Sequence, residues 1–231
     1  YLSSADFKAD ETLAILELAL QLKSGKRRID LGNRVLGLIF TKASTRTRVS
    51  FQVAMTRLGG QTVDLNPQVT QLGRGEPLKD TARVLSRFCD VLAIRTYDQQ
   101  ELVEYAKWSS IPVVNALTDL EHPCQSLADF LTMKEEFGPL EGQTLAYVGD
   151  GNNVANSLIL CGSILDIEIR IACPKGYEPS PSIIEEVKFS NNKLKITNDI
   201  ASAVSGANIL YTDVWSSMGE ESNRENKDKD F

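Results

Sequence analysis

A single histidine, His122, stands in this chain of 231 residues. A metal site built on several imidazoles therefore cannot come from it. The four cysteines, Cys89, Cys124, Cys161 and Cys173, show no paired C-x-x-C spacing, which removes the usual thiolate zinc and redox motifs. They read as reduced, mostly buried thiols of an intracellular protein. Positive charge is not in excess: 25 Lys and Arg stand against 31 Asp and Glu, a net charge of −6. A general nucleic-acid surface is not expected from that balance, although a local basic pocket remains compatible with it. No apolar run approaches the ~18 residues of a membrane span. The first residues lack a basic-then-apolar signal sequence, so the expected place is the cytoplasm, or an organelle matrix if a transit peptide was removed.

What is present is an ordinary globular composition, 42% hydrophobic and 24% charged. Its most informative stretch runs from Phe40 to Phe51. Before it, Arg34 to Phe40 is mostly apolar and reads as a buried strand. After it, Val49, Phe51, Val53, Ala54 and Leu58 follow helical spacing up to Gly59 and Gly60. Ser44, Thr45, Arg46 and Thr47 thus lie on a strand-to-helix turn. Hydroxyls, the guanidiniums of Arg46 and Arg48 and the open N–H groups of a helix start converge there. A helix N-terminus favours an anion, and arginine takes two phosphate oxygens at once where Lys42 cannot. The competing reading is an ordinary Ser/Thr N-cap with solvated arginines.

The rest of the chain bears on that choice. Ala9 to Leu22 is an amphipathic helix, followed by a basic link, Lys23 to Arg28, that reads as a solvated turn. Gln61–Leu65, Val91–Arg95 and Ile111–Asn115 read as strands, with helices over Leu78–Phe88 and Glu101–Trp108. Pro67 to Pro77 is an irregular loop long enough to be functional. Strand–helix alternation implies a parallel sheet, in which ligands sit beyond the carboxyl ends of strands. Ser44–Thr47, Arg95 and the segment after Asn115 all follow strand ends, which favours the anion cradle. His122 stands on the same edge, before an amphipathic helix that Pro123 is well placed to start. A lone histidine is more often structural, but this position favours a functional role. Cys124 beside it suggests a Cys/His nucleophilic pair only by adjacency, which is no support for one.

Phe137 to Gly142 is rich in turn residues and marks a boundary, giving domains at 1–137 and 138–231. A second alternation follows: strands over Leu145–Val148, Ile167–Ala172, Leu194–Thr197 and Asn208–Thr212, with helices over Asn152–Leu165, Pro181–Phe189 and Ile200–Val204. The expected fold is α/β, two parallel-sheet domains with helices on both faces. Gly149 to Val154 partly matches the dinucleotide fingerprint G-x-G-x-x-G, but Val154 replaces the third glycine. That leaves a nicotinamide-dependent oxidoreductase as a weak rival. The alternative is a turn that presents Asn153 to a ligand in the cleft between the two halves.

Ser44-Thr45-Arg46-Thr47-Arg48 together with His122-Pro123-Cys124-Gln125 resembles the motifs of the carbamoyltransferase family. Asp213-Val214-Trp215-Ser216-Ser217-Met218-Gly219, with Gly149 to Asn153, is similar to the signature of its ornithine-type branch and not to that of the aspartate-specific relatives. The resemblance runs over the whole chain. It implies that Ser44, Thr45, Arg46 and Thr47 bind the phosphate of carbamoyl phosphate, and that Arg95 reaches both phosphate and carbonyl oxygen. His122 would hydrogen-bond that carbonyl oxygen and Gln125 the carbamoyl amino group. Asn153, Asp213, Ser217 and Met218 would hold ornithine, Asp213 on its α-ammonium. Citrulline and phosphate are the implied products and no cofactor is implied. A homotrimer, or a multiple of trimers, with active sites near subunit contacts and a place in arginine biosynthesis are implied as well. The family's later His-Cys-Leu-Pro motif and final arginine-bearing helix do not occur before Phe231, so the second domain is expected to be incomplete. Transfer to another amine such as putrescine, or a non-catalytic homologue, are the alternatives.

Overall fold

In the computed structural model, residues 1–66, 75–188 and 193–214 are described. The chain divides into two compact units: Tyr1–Asp6 with Glu17–Cys124, and Phe7–Leu16 with Gln125–Phe231. The first helix, α1 (Ala9–Lys23), contributes to both.

In the first unit, β1 (Val35–Phe40), β2 (Gln61–Leu65), β3 (Val91–Arg95) and β4 (Val113–Leu117) form a parallel sheet in the order β2-β1-β3-β4. Strand side chains alternate between faces, and both faces are apolar. Leu36, Leu38 and Phe40 join Ala93, Ala116 and Met55 of α2 (Arg46–Arg57) on one side. Ile39, Leu92, Ile94 and Val113 pack on the other against Ala82 of α3 (Leu78–Leu85) and against Leu102 and Tyr105 of α4 (Gln99–Trp108). The chain runs from β1 outward to β2, then returns past β1 to β3, so the strand order reverses between β1 and β3.

One strand differs from the periodicity. The strand expected over Ile111–Asn115 runs instead from Val113 to Leu117. Ser109, which ends α4, binds both backbone groups of Ile111 through its hydroxyl, and Pro112 has no N–H to give a ladder. Asn115 is consequently inside the strand. Its amide nitrogen donates to the Leu2 carbonyl at 2.9 Å.

In the second unit, β5 (Thr144–Val148), β6 (Glu168–Ala172), β7 (Leu194–Thr197) and β8 (Ile209–Thr212) form a parallel sheet in the order β7-β6-β5-β8. Helix α5 (Pro123–Phe137) leads into it, and α6 (Asn153–Ile164), α7 (Pro181–Lys188) and α8 (Ile200–Val204) cover it. Ile169 shares a small cavity with Ile159 of α6 and Val187 of α7. The next residue along, Arg170, points to the other face and donates to the carbonyls of Ala203 and Ser205 at the end of α8. Here the order reverses between β5 and β8. Two doubly wound units, each with one reversal, are the α/β architecture that the alternation predicts.

Candidate active site

Ligands of open α/β sheets bind in the crevice outside the strand ends where the order reverses. In the first unit that place lies between the ends of β1 and β3. Phe40 and Arg95 are register partners there. The turn after β1 is tied to β3: Thr41 donates its N–H to the Arg95 carbonyl at 2.9 Å, and its hydroxyl to the same oxygen at 3.1 Å. Ser44, Thr45, Arg46 and Thr47 follow, with α2 starting at Arg46. The ladder is irregular at this point. Ile94 pairs with Asn115 and Arg95 with Leu117, which leaves Ala116 as an extra residue on β4. Bulges of this kind re-aim side chains beside functional sites.

Two observations separate the cradle from an ordinary cap. Thr45 at the N-cap makes no side-chain cap hydrogen bond, and the first turn of α2 holds no acidic residue. The helix therefore begins with arginines where its dipole would prefer anions. The two arginines also part company. Arg48 pairs with Asp64 of β2 and lies 4.9 Å over the Phe40 ring. Arg46 is exposed and makes no ion pair among the described residues. Two positions along a helix lie about 200° apart, so the two side chains leave α2 on different sides. A second guanidinium, that of Arg95, stands at the end of β3. Lys42 is likewise engaged, paired with Asp119 and placed 4.5 Å over the Tyr97 ring.

Arg95 is only 4% exposed, yet its guanidinium makes no hydrogen bond or ion pair among the described residues. Burial lowers its pKa from the usual arginine value. A buried cation without a counter-charge is costly, and an anion at the switch point would relieve it. His122 feels the same charge. Burial first, and then the Arg95 charge, push its pKa down to about 4. At neutral pH it is an uncharged imidazole, able to donate one hydrogen bond without releasing a proton to solvent. Cys124 is no partner for it in nucleophilic chemistry. Its thiol donates to the Asn115 carbonyl at 3.3 Å, and burial pushes its pKa up to about 12.

In the second unit the reversal places the turn after β5 beside the end of β8. Asp213 follows β8, and its carboxylate accepts from the Asn152 amide at 3.0 Å. Asn152 also caps α6, its side-chain oxygen accepting from Val154 at 2.9 Å and Ala155 at 3.2 Å. Asn153 is the first residue of α6, next to that cap. Gln125 opens this unit on α5 and donates to Asp129 at 2.8 Å; Tyr211 of β8 donates to the other Asp129 oxygen at 3.0 Å. Ser217 and Met218 lie outside the described residues. Gly151 overturns the dinucleotide reading of the β5–α6 turn. A Cβ there would come within 2.3–2.6 Å of the backbone of Tyr177, Glu178 and Pro179. The glycine makes room for the protein's own chain, not for a pyrophosphate.

The family model for the carbamoyl-phosphate-binding domain of aspartate/ornithine carbamoyltransferases matches residues 1–135, and that for their Asp/Orn-binding domain matches residues 141–231. The chain belongs to the aspartate/ornithine carbamoyltransferase family. Among carbamoyltransferases it is 68% identical to an ornithine carbamoyltransferase of Parasynechococcus marenigrum, covering 100% of this chain and 74% of that protein. The crystal structure of the anabolic ornithine carbamoyltransferase of Campylobacter jejuni matches with a TM-score of 0.93 at 39% identity, over 100% of this chain and 78% of the other. The Pyrococcus furiosus ornithine carbamoyltransferase matches at 0.92 and 44% identity, over 100% and 76%. Within this carbamoyltransferase fold, sequence reasoning passed over Asn152, Asp129 and Tyr211. Asn152 carried a signal, since asparagine just before an apolar helix is a favoured N-cap. Asp129 and Tyr211 are 82 residues apart and carried none.

Proposed function

We propose that this protein transfers the carbamoyl group of carbamoyl phosphate to the δ-amine of ornithine, giving citrulline and phosphate. The observation that carries the reading is Arg95: a buried guanidinium at a strand-order reversal, without a partner among the described residues. A phosphate or a developing oxyanion is the ligand that satisfies it.

In this reading residues 1–137 bind carbamoyl phosphate and 138–231 bind ornithine. Ser44, Thr45, Arg46 and Thr47 hold the phosphate at the start of α2. Arg95 spans phosphate and carbonyl oxygen, and neutral His122 donates to the same oxygen. Gln125 meets the carbamoyl amino group. Asn153, Asp213, Ser217 and Met218 hold ornithine, with Asp213 on the α-ammonium. The uncharged δ-amine attacks the carbonyl carbon, negative charge builds on the carbonyl oxygen, and phosphate leaves. Fixed donors around that oxygen lower the barrier, one donor typically contributing ~2.7–4 kcal/mol. Alignment of two bound substrates supplies a further share. A homotrimer, a cytoplasmic location and a role in arginine biosynthesis belong to the same reading.

Citrulline formation is the test, with ornithine, putrescine and aspartate offered in parallel. Turnover with ornithine alone is the expected result. Carbamoylation of putrescine at a comparable rate would overturn the substrate assignment, since putrescine offers Asp213 no α-ammonium.

A further inference from the structure

Asp129 has no role in the scheme above, yet two side chains converge on it. Gln125 lies one helical turn before it on α5 and donates its amide nitrogen to Oδ1 at 2.8 Å. Tyr211 donates its hydroxyl to Oδ2 at 3.0 Å from β8. The Tyr211 ring is itself stacked on Tyr147 of the neighbouring strand, with centroids 5.8 Å apart and planes 22° from parallel. The Tyr147 hydroxyl is anchored on the Asp150 carbonyl at 2.8 Å. The aspartate is thus held from the sheet by a packed, hydrogen-bonded aromatic pair.

The chemistry of the pair Gln125–Asp129 has a direction. An ionised carboxylate only accepts hydrogen bonds, so the glutamine must turn its nitrogen toward Asp129. Its carbonyl oxygen is then turned the other way, ready to accept from an N–H. A glutamine without such a neighbour presents nitrogen or oxygen with similar ease, and half of those arrangements would set a donor against a donor. We infer that Asp129, held by Tyr211, is a positioning residue that fixes the Gln125 amide with its oxygen presented to the carbamoyl amino group. This rests on the assignment of Gln125 to that group.

Burial raises the Asp129 pKa to about 6, opposed by the Gln125 and Tyr211 hydrogen bonds and assisted by the nearby Asp213 charge. The carboxylate form still predominates at neutral pH.

A double-mutant cycle in the full protein tests the inference, with kcat and KM for both substrates and the melting temperature of every variant. Gln125→Ala should lower kcat/KM for carbamoyl phosphate by about tenfold or more, the loss of one oriented hydrogen bond. Asp129→Ala should do the same to a similar degree, with the KM for ornithine moved by less than about twofold. In the Gln125→Ala background Asp129→Ala should add almost nothing, because it acts through the residue already removed. Asp129→Asn should recover most of the activity, its oxygen accepting from Gln125 and its amide donating to the Tyr211 oxygen. If Asp129→Ala does not fold, Asp129→Glu takes its place. It shifts the carboxylate by one methylene and should cost several-fold, again only when Gln125 is present. A full Asp129 penalty on top of an impaired Gln125→Ala would overturn the inference and leave the Gln125 assignment standing. A silent Gln125→Ala would overturn both.

Discussion

The two units share one architecture and present opposite chemistry at equivalent places. Each is a four-stranded parallel sheet with a single reversal of strand order, and in each the next helix starts beside that reversal. At the first, α2 begins with Arg46 and Arg48 and without a side-chain cap, and the adjoining strand ends in buried Arg95. At the second, α6 is capped by Asn152, whose amide also holds the carboxylate of Asp213. The backbone N–H groups that a ligand would need are thus left open in one case and taken by the protein in the other. The ligand preference of a doubly wound sheet is set less by topology than by what caps the helix at its switch point. An uncapped start flanked by guanidiniums suits an anion; a capped start beside a carboxylate suits an ammonium.

The sharpest way to break that contrast is at Arg95. Arg95→Met keeps the volume and removes the cation. It should reduce kcat/KM by about 10³ or more, since in the proposed reading one group serves both phosphate and developing oxyanion. Arg95→Lys keeps charge but loses the planar fork, and should recover only a small part. A steady-state assay showing either variant within about tenfold of the parent would remove Arg95 from the chemistry.

The second effect in size is at the helix start. Arg46→Ala should weaken carbamoyl phosphate binding and lower turnover together, by about 10² overall, because the proposed cradle would act in ground and transition states alike. Arg48→Ala is its control. The Arg48–Asp64 pair is partly solvent-exposed, so its loss should cost about 0.2–1 kcal/mol of stability and little activity. Equal kinetic damage from both would mean that both guanidiniums reach the anion, against the division described here.

At the second switch point the expected change is smaller and falls on one substrate. Asp213→Asn should raise the KM for ornithine by about 10–100-fold, the loss of one charged hydrogen bond, and leave carbamoyl phosphate binding nearly intact. Isothermal titration with each ligand separates the two; equal weakening of both would contradict the separation of roles between the units.

Much of this was readable in the chain, for physical reasons particular to it. Short runs such as Val91–Arg95 and Leu194–Thr197 lie between turn signals, so both sheets could be laid out strand by strand. Arg95 was conspicuous because a buried strand rarely ends in a charge. Three features were not readable. The shift of β4 to Val113–Leu117 depends on Ser109 binding Ile111, a tertiary detail of how α4 ends. The division of labour between Arg46 and Arg48 depends on Asp64 lying beside β1, and strand order is not encoded locally. The bond from Tyr211 to Asp129 needs α5 and β8 side by side, which no pattern in either segment announces.

The smallest expected effect tests the comparison through stability, because burial drives one titratable group in each unit toward its neutral form. His122 has a folded pKa of about 4, pushed down by burial and by Arg95. Against an unfolded value near 6.5, its stabilising contribution is complete above about pH 6.5 and is lost as the pH falls toward 4. Asp129 runs the other way. Its folded pKa of about 6 lies above the ordinary aspartate value near 3.9, so the folded state binds the extra proton and gains stability as the pH falls from about 6 to 4. Each acts with a slope of up to ~1.4 kcal/mol per pH unit, and below about pH 6 the two oppose one another. Stability should therefore drop slightly from pH 7 to 6 and then change little from these groups down to pH 4. Removing one member exposes the other. His122→Asn should become more stable on acidification across that window, and Asp129→Asn less stable. Urea titrations at pH 7, 6, 5 and 4 would show it, and identical profiles for both variants would mean that neither group is perturbed by its unit.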